Sequence, residues 1–323
     1  MKKRMIALLA AVAILLTFTA CTGGRPVKSD TTLRDFTDDC GRTVQIPQKI
    51  TSVVASGALS QVILFAAAPE MLVGLASRWT EKARGIVPDK YFDLPYFGEL
   101  YDSANLNVEE LAMTAPQLII DIGEAKKNIT EKMDTLEAQT GIPSVHIEAS
   151  LATMSDAYRR LGNLLGKEEQ GEKLAQFCEK VYSRTVSVME KVGDNKVKAL
   201  YVLGESGLNV LAKGSYHAEL MDLLTDNLAV VDNPSSKGIG NEVTMEQIAL
   251  WDPDFVLFAP GSIYGTVGER AAWKEIRAVK SGRYAEIPGK PHNWMGNPPS
   301  VQRYLGMIWL TAVLYPQYCD YDV

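Results

Sequence analysis

Arg78 and Trp79 stand side by side just after an apolar run. A cation beside a large aromatic suits an anionic, partly apolar ligand, through charge-assisted hydrogen bonds and stacking. Tyr96 lies in a loop rich in aromatics and proline, and Tyr264 and Trp294 bring further rings with polar edges. Glu124 could face a ligand cation or stay solvated. The three histidines, His146, His217 and His292, are scattered. A zinc or manganese site needs several histidines and carboxylates converging, so no bare-metal site is expected. His146 sits inside the apolar stretch SVHI and reads as structural. Cys178 falls on an apolar helical stripe and reads as a small core residue. Cys40 and Cys319 could pair only if the chain ends meet, which the sequence leaves open.

Enzyme motifs fail. GESGL (204–208) lacks the final glycine spacing of a nucleophile elbow. GIGNEV carries two glycines, not the dinucleotide fingerprint, and no Gly-Lys-Ser/Thr phosphate loop is present. The expectation is a non-enzymatic binding protein with no cofactor of its own, although its ligand can itself carry a metal.

The elements that must position these residues follow from hydrophobic pattern. Residues 41–47, GRTVQIP, read as a turn followed by a short alternating strand. Residues 50–55 are apolar and β-branched, 59–67 read as a helix, and 71–76 as a second strand. This is a β-α-β unit, the building block of a parallel sheet. A related pattern recurs at 198–203, 217–224 and 228–231. A closer internal match pairs VEELAMTAPQLII (108–120) with MEQIALWDPDFVL (245–257). Glu109 aligns with Glu246 and Pro116 with Pro253, each a short helix ending before a proline and a buried strand. Such a repeat indicates two similar α/β lobes. Between them, 151–192 is helical. From Glu168 to Val192 a helix would extend about 37 Å at its standard rise, with Leu174, Phe177, Val181, Tyr182, Val188, Met189 and Val192 on one face. Near the chain end, Asn297 can cap a helix with Pro298 at its first position, running through Leu314.

The N-terminus is a separate matter. Lys2, Lys3 and Arg4 precede an apolar run to Leu16, then small residues and Cys21. That reads as an export signal, too short for a comfortable membrane span. The residues before Cys21 resemble a bacterial lipobox, in which the cysteine is lipidated. The organisation expected is a leader over 1–21, a flexible tether over 22–34, an N-terminal lobe over 35–150, a connector region over 151–194 and a C-terminal lobe over 195–323. A formal net charge of −6 and no basic run beyond the leader exclude a general nucleic-acid role.

Several segments together resemble one family. DDCGRTVQIPQKITSVVAS, MLVGLAS, APQLIIDIG, DPDFVLFAPG, YRRLGNLLGKEE and KSGRYAEIP are similar, in order and spacing, to the substrate-binding lipoproteins of bacterial ABC importers for iron-siderophore complexes, haem and vitamin B12. These are class III periplasmic binding proteins. The tail WMGNPPSVQRYLGMIWL is similar to a branch with members linked to molybdate or tungstate. The resemblance implies an α/β fold of two Rossmann-like lobes, with parallel-rich sheets joined by one long connector helix. It implies a ligand cleft beyond the carboxyl ends of the strands, where Ser56, Arg78, Trp79, Tyr96, Glu124, Ser236, Tyr264, Asn293 and Trp294 would stand. Arg303 would either meet an anionic ligand or make an internal salt bridge. It further implies a membrane permease and ATPase as partners, met by an acid on each lobe. Glu219 fits the second-lobe position, whereas the first lobe has Gln61 where the family often has Glu. The expected ligand is an iron chelate or a corrinoid. The alternative is a molybdate or tungstate oxyanion, and a surface metalloenzyme or cluster-handling protein is the remaining reading.

Overall fold

The alternating strands Leu33–Thr37 (β1) and Thr43–Pro47 (β2) pair antiparallel, with Asp35 opposite Gln45. In the turn between them the Asp38 carboxylate accepts the backbone N–H groups of Cys40 and Arg42 at 3.0 and 2.9 Å. The structure, a computed structural model, describes residues 32–100 and 106–319. The leader, Cys21 and nearly all of the expected tether lie outside those residues. Because Leu33 and Arg34 belong to β1, the first lobe begins two residues before its expected boundary.

The first-lobe sheet is parallel, in the order Val53–Ala55 (β3), Leu118–Gly123 (β4), Ser144–Glu148 (β5). Every residue of β4 is buried, as expected of a parallel strand covered on both faces. Helices Ala58–Ala67 (α1), Val108–Thr114 (α2) and Ile129–Thr140 (α3) complete the lobe. The strand expected over 71–76 shrinks to two isolated bridges, Val53 with Leu72 and Leu75 with Tyr96. Its neighbour contains Pro95, which has no N–H to extend a ladder.

The connector is a pair of helices, Met154–Leu165 (α4) and the 25-residue Glu168–Val192 (α5). The chain breaks between them at Gly166, whose φ of 65° is left-handed. The two helices meet at glycines: a Cβ on Gly171 would stand 2.6 Å from the Tyr158 carbonyl oxygen. The buried face of α5 carries Ala175, Cys178, Val181, Val188, Met189 and Val192. Phe177, expected on that face, is exposed at its edge.

The second lobe holds Lys198–Leu203 (β6), Asn209–Val210 (β7), Glu219–Leu224 (α6), Asp226–Asn227 (β8), Asn241–Glu242 (β9), Met245–Trp251 (α7), Phe255–Phe258 (β10), Arg277–Lys280 (α8), Tyr284–Glu286 (β11) and Arg303–Leu314 (α9). Its sheet runs β11-β10-β6-β7-β9, with β8 beside β6. β10 lies parallel to both β6 and β11. The strand expected at 228–231 lies earlier, at β8. α9 packs on α5, so the long helix touches both lobes. Arg303 opens α9, five residues later than expected. The adjacent prolines explain the delay, because Pro299 biases Pro298 away from helical geometry.

The internal repeat is structural. α2 and α7 are each capped by a side chain, Asn107 accepting from the Glu110 N–H and Thr244 from the Gln247 N–H. Each ends on a non-glycine residue at φ 44°, Ala115 and Asp252. Both precede a proline, which disfavours a further helical residue there. Cys40, Cys178 and Cys319 are free, so Cys40 and Cys319 do not pair. Among the described residues no helix is long and apolar enough to cross a membrane.

Candidate ligand-binding cleft

β3 ends at Ala55, just before Ser56, β4 ends at Gly123, and α1 starts two residues after Ser56 with no side-chain cap. The first N–H groups of a helix have no partner within it. Here they open onto a cavity of about 460 Å³ between the lobes. The first lobe supplies Ser56, Ser60, Glu99, Asp121, Glu124, Lys126 and Lys132. The second supplies Tyr216, His217, Ser236, Lys237 and Asn297. Three lysines thus face three carboxylates. Apolar wall comes from Leu59, Ile122, Ile129, Pro298 and Pro299, with the ring of Tyr216.

Beneath the floor lies a polar chain. Ser56 Oγ donates to Asp121 Oδ1 in a short hydrogen bond. Asp121 Oδ2 is 2.7 Å from His146 Nδ1. His146 is fully buried on β5, and its Nε2 has no partner. Ser60 Oγ accepts the Ile122 N–H at 2.9 Å and lies 3.1 Å from Ser56 Oγ. On the opposite wall His217 Nδ1 donates to the Gly296 carbonyl at 2.6 Å. Burial holds His217 below the usual imidazole value, against the pull of that carbonyl. The ring is therefore neutral near pH 7, and Nε2 is its acceptor. Tyr216 donates to the Ala149 carbonyl at 2.6 Å, tying the lobes together behind the cavity. Burial raises its phenol to about 12.

Of the residues expected to bind ligand, Ser56, Glu124 and Ser236 line this cavity. The others do not. Trp79 is buried, its ring 4.9 Å from Phe65 and 5.5 Å from His292. Arg78 stacks its guanidinium over Tyr96 at 4.5 Å. Tyr264 packs on Phe258 and Tyr284. Asn293 donates to the Tyr201 hydroxyl at 2.7 Å, and the Trp294 indole donates to the Lys290 carbonyl at 2.8 Å. None of these side chains lines the cavity, and Arg78, Tyr96 and Tyr264 remain exposed outside it. Arg303 resolves as an internal ion pair: it is fully buried, bonded to Glu219 and stacked over Tyr216.

The residues expected to meet the permease both have partners inside the protein. Gln61 is buried. Its amide donates to the Ser77 carbonyl at 2.9 Å and accepts the Ala76 and Ser77 N–H groups at 2.8 and 3.0 Å. Its burial at 2% exposure keeps the side chain from the surface. Glu219 Oε2 is occupied by Arg303 and by the Leu151 N–H at 3.1 Å, so this acid serves as an internal counter-ion. Lys126, Lys237, Asp121, Asn297 and His217 line the cavity without having been singled out for it. The available signal was their place in loops that follow strands, which named the loops but not the inward-facing side chains.

Comparison with known proteins agrees with this geometry. A family model described as periplasmic binding protein matches residues 74–291. Among solved structures, an ABC transporter solute binding protein from Sulfurospirillum deleyianum aligns with a TM-score of 0.81 and 25% identity, over 90% of this chain and 91% of its own. A periplasmic solute binding protein from Veillonella parvula aligns at 0.69 and 25%, over 90% and 89%. The molybdate periplasmic binding protein MolA of Haemophilus influenzae, with molybdate bound, aligns at 0.70 and 19%, over 88% and 92%, a likeness of fold. A comparison with curated protein sequences found no match.

Proposed function

This chain belongs to the periplasmic binding protein family and is the solute-binding component of an ABC transporter, and we propose that its solute is a hydrophilic, oxygen-rich metal chelate of the ferric-siderophore kind. The observation that carries this reading is the cavity itself. About 460 Å³ falls in the range that holds a drug-sized molecule. Its walls set six charged side chains and the hydroxyls of three serines and Tyr216 among the apolar surface of Leu59, Ile122, Ile129 and two prolines, with no stacked aromatic wall. A flat macrocycle such as haem or a corrinoid draws on apolar and aromatic walls, and here those aromatics are packed elsewhere. A second reading, a molybdate or tungstate receptor, draws on the uncapped start of α1, because helix N-termini favour anions.

Calorimetric titration of the purified chain lacking residues 1–21 tests both. The panel is ferric hydroxamate and catecholate siderophores, haem, cobinamide, molybdate and tungstate. Micromolar binding of a siderophore supports the reading. Tight binding of haem, cobinamide or a tetrahedral dianion in its place overturns it.

Delivery to the permease needs exposed acids on both lobes. The internal repeat offers Glu109 on α2 and Glu246 on α7, both exposed and both in the first turn of matched helices. These two, rather than Gln61 and Glu219, are the acids proposed to meet the permease. The protein is extracytoplasmic by family, and lipidation at Cys21 is the proposed anchor. Loss of lipid labelling in cells on Cys21→Ala supports that anchor, and retained labelling refutes it.

A further inference from the structure

The cavity floor has a definite hydrogen-bond polarity. A serine hydroxyl has one proton and two lone pairs. Ser56 is 1% exposed, and its proton goes to Asp121 Oδ1. Asp121 has its other oxygen on His146 Nδ1 at 2.7 Å, so the imidazole holds the carboxylate in the pose that accepts from Ser56. Ser60 accepts the Ile122 N–H at 2.9 Å, and its own proton has two nearby acceptors, Ser56 Oγ at 3.1 Å and the Ile122 carbonyl at 3.3 Å. Both hydroxyl protons are thus spent within the protein. What Ser56 can show the cavity is a lone pair.

Around that point the walls are of mixed sign. Asp121, Glu99 and Glu124 bring acceptors, while Lys126, Lys132, Lys237 and the start of α1 bring donors. A ligand made only of acceptor oxygens would meet the donors well but would set its oxygens against Ser56 and Asp121. A buried acceptor facing another acceptor loses the full value of the hydrogen bond each had with water.

We propose that Asp121, positioned by His146, makes Ser56 an obligate acceptor, so that the cleft selects anionic solutes carrying a hydrogen-bond donor beside their acceptor oxygens. Chelates bearing free hydroxyl or amide N–H groups and protonated oxyanions belong to this class. Molybdate, tungstate and sulfate do not. The inference rests on the cleft being the solute site, and it decides between the two ligand readings above. Ser56 is the specificity-determining contact, Asp121 sets its direction, and His146 is a positioning residue.

Two measurements on the purified protein test it. The first needs no ligand. In protein labelled at serine, the Ser56 hydroxyl proton is expected as a slowly exchanging NMR resonance, lost in Ser56→Ala and shifted in Asp121→Asn. A Ser56 hydroxyl exchanging freely with water, with the fold intact, overturns the proposal. The second uses molybdate and inorganic phosphate as probes. Phosphate at neutral pH always carries a proton, whereas molybdate carries none. Wild type is expected to favour phosphate by at least tenfold. In Asp121→Asn the His146 Nδ1–H can bond the amide oxygen. The amide NH₂ then faces Ser56, whose proton turns to the cavity. The preference should shrink by tenfold or more through a gain in molybdate affinity. Equal or tighter molybdate binding by wild type, or an unchanged ratio in Asp121→Asn, overturns the proposal. A protected Ser56 hydroxyl in a protein that binds no siderophore would refute the chelate reading and leave the serine's polarity standing.

Discussion

Glu219→Ala tests whether the Arg303 pair is a structural ion pair. Arg303 is fully buried at the start of α9, and Glu219 is its salt-bridge partner. Its Nε and Nη2 have no partner, so Glu219 is the charge that compensates it. Removing one member of a buried pair costs about 3–5 kcal/mol, because the other charge is left uncompensated. The Glu219 side chain is 28% exposed, so water can partly replace it and the low end, about 3 kcal/mol, applies. The truncation also strips the acceptor from the Leu151 N–H, bonded at 3.1 Å. Urea unfolding followed by tryptophan fluorescence reads the change as a fall in midpoint at constant slope. The double variant Glu219→Ala/Arg303→Met removes both charges and keeps an apolar side chain over Tyr216, so it should recover most of the loss. A single-variant loss below about 1 kcal/mol, or simple additivity in the double variant, would refute the reasoning. Either result would return Glu219 to the candidates for permease docking.

Four further outcomes are expected. Gly171→Ala would place a methyl 2.6 Å from the Tyr158 carbonyl, forcing α4 and α5 apart. It should cost about 1–3 kcal/mol in thermal or urea unfolding, and an unchanged midpoint would contradict the close crossing. Glu109→Ala and Glu246→Ala should each cut solute uptake by cells at least fivefold, with solute affinity and melting temperature unchanged; normal uptake in the double variant would exclude them as docking acids. Burial lowers both His217 and His292. The unfolded chain therefore binds protons that the folded one refuses. Stability should fall as pH drops below the unfolded value of about 6.5 and level off below the folded values; His217→Gln should flatten part of that slope, and an unaltered slope would refute the assignment. Burial pushes Cys40 up to about 11 and Cys178 up to about 12. Both should alkylate slowly at pH 8 in native protein, the buried Cys178 more slowly than the half-buried Cys40, and prompt labelling of Cys178 would show that it is not held as a buried thiol.

The fold was legible because its signals are local and repeated. The Glu-to-Pro spacing shared by 108–120 and 245–257 marks α2-β4 and α7-β10, down to the matched left-handed residues before each proline. The apolar stripe after Glu168 marks α5 over its full length. What pattern could not supply was the direction of single side chains. Trp79, Tyr96 and Trp294 have the chemistry of a ligand wall, yet each finds a closer partner: Phe65, Arg78 or the Lys290 carbonyl. Gln61 shows the same limit. It stands where the family often has a docking Glu, but a helix that starts at a strand end buries that turn against the 76–77 backbone. His146 read as an inert core residue, and burial was right. Its bond to Asp121 joins residues 25 positions apart in sequence, a contact that β4-β5 pairing creates and no spacing rule reveals.

The same contacts bear on how the receptor works. Three hydrogen bonds join the second lobe to 149–151, at the end of the first-lobe sheet: Tyr216 to the Ala149 carbonyl, Tyr304 to the Leu151 carbonyl at 2.7 Å, and the Leu151 N–H to Glu219. All lie on the connector side, where α5 also packs against α9. A wide hinge opening would have to break these three hydrogen bonds together, at a net cost of about 1 kcal/mol for each neutral bond and more for the one to the Glu219 carboxylate. With the cleft as the proposed solute site, these contacts hold its walls largely preformed. Selectivity must then come from the fixed polarity of its walls rather than from closure around whatever enters. Fixed polarity means that one carboxylate can decide the solute class. A change at Asp121 should alter which anions bind while leaving the lobe arrangement, and the distance between Glu109 and Glu246, as they are.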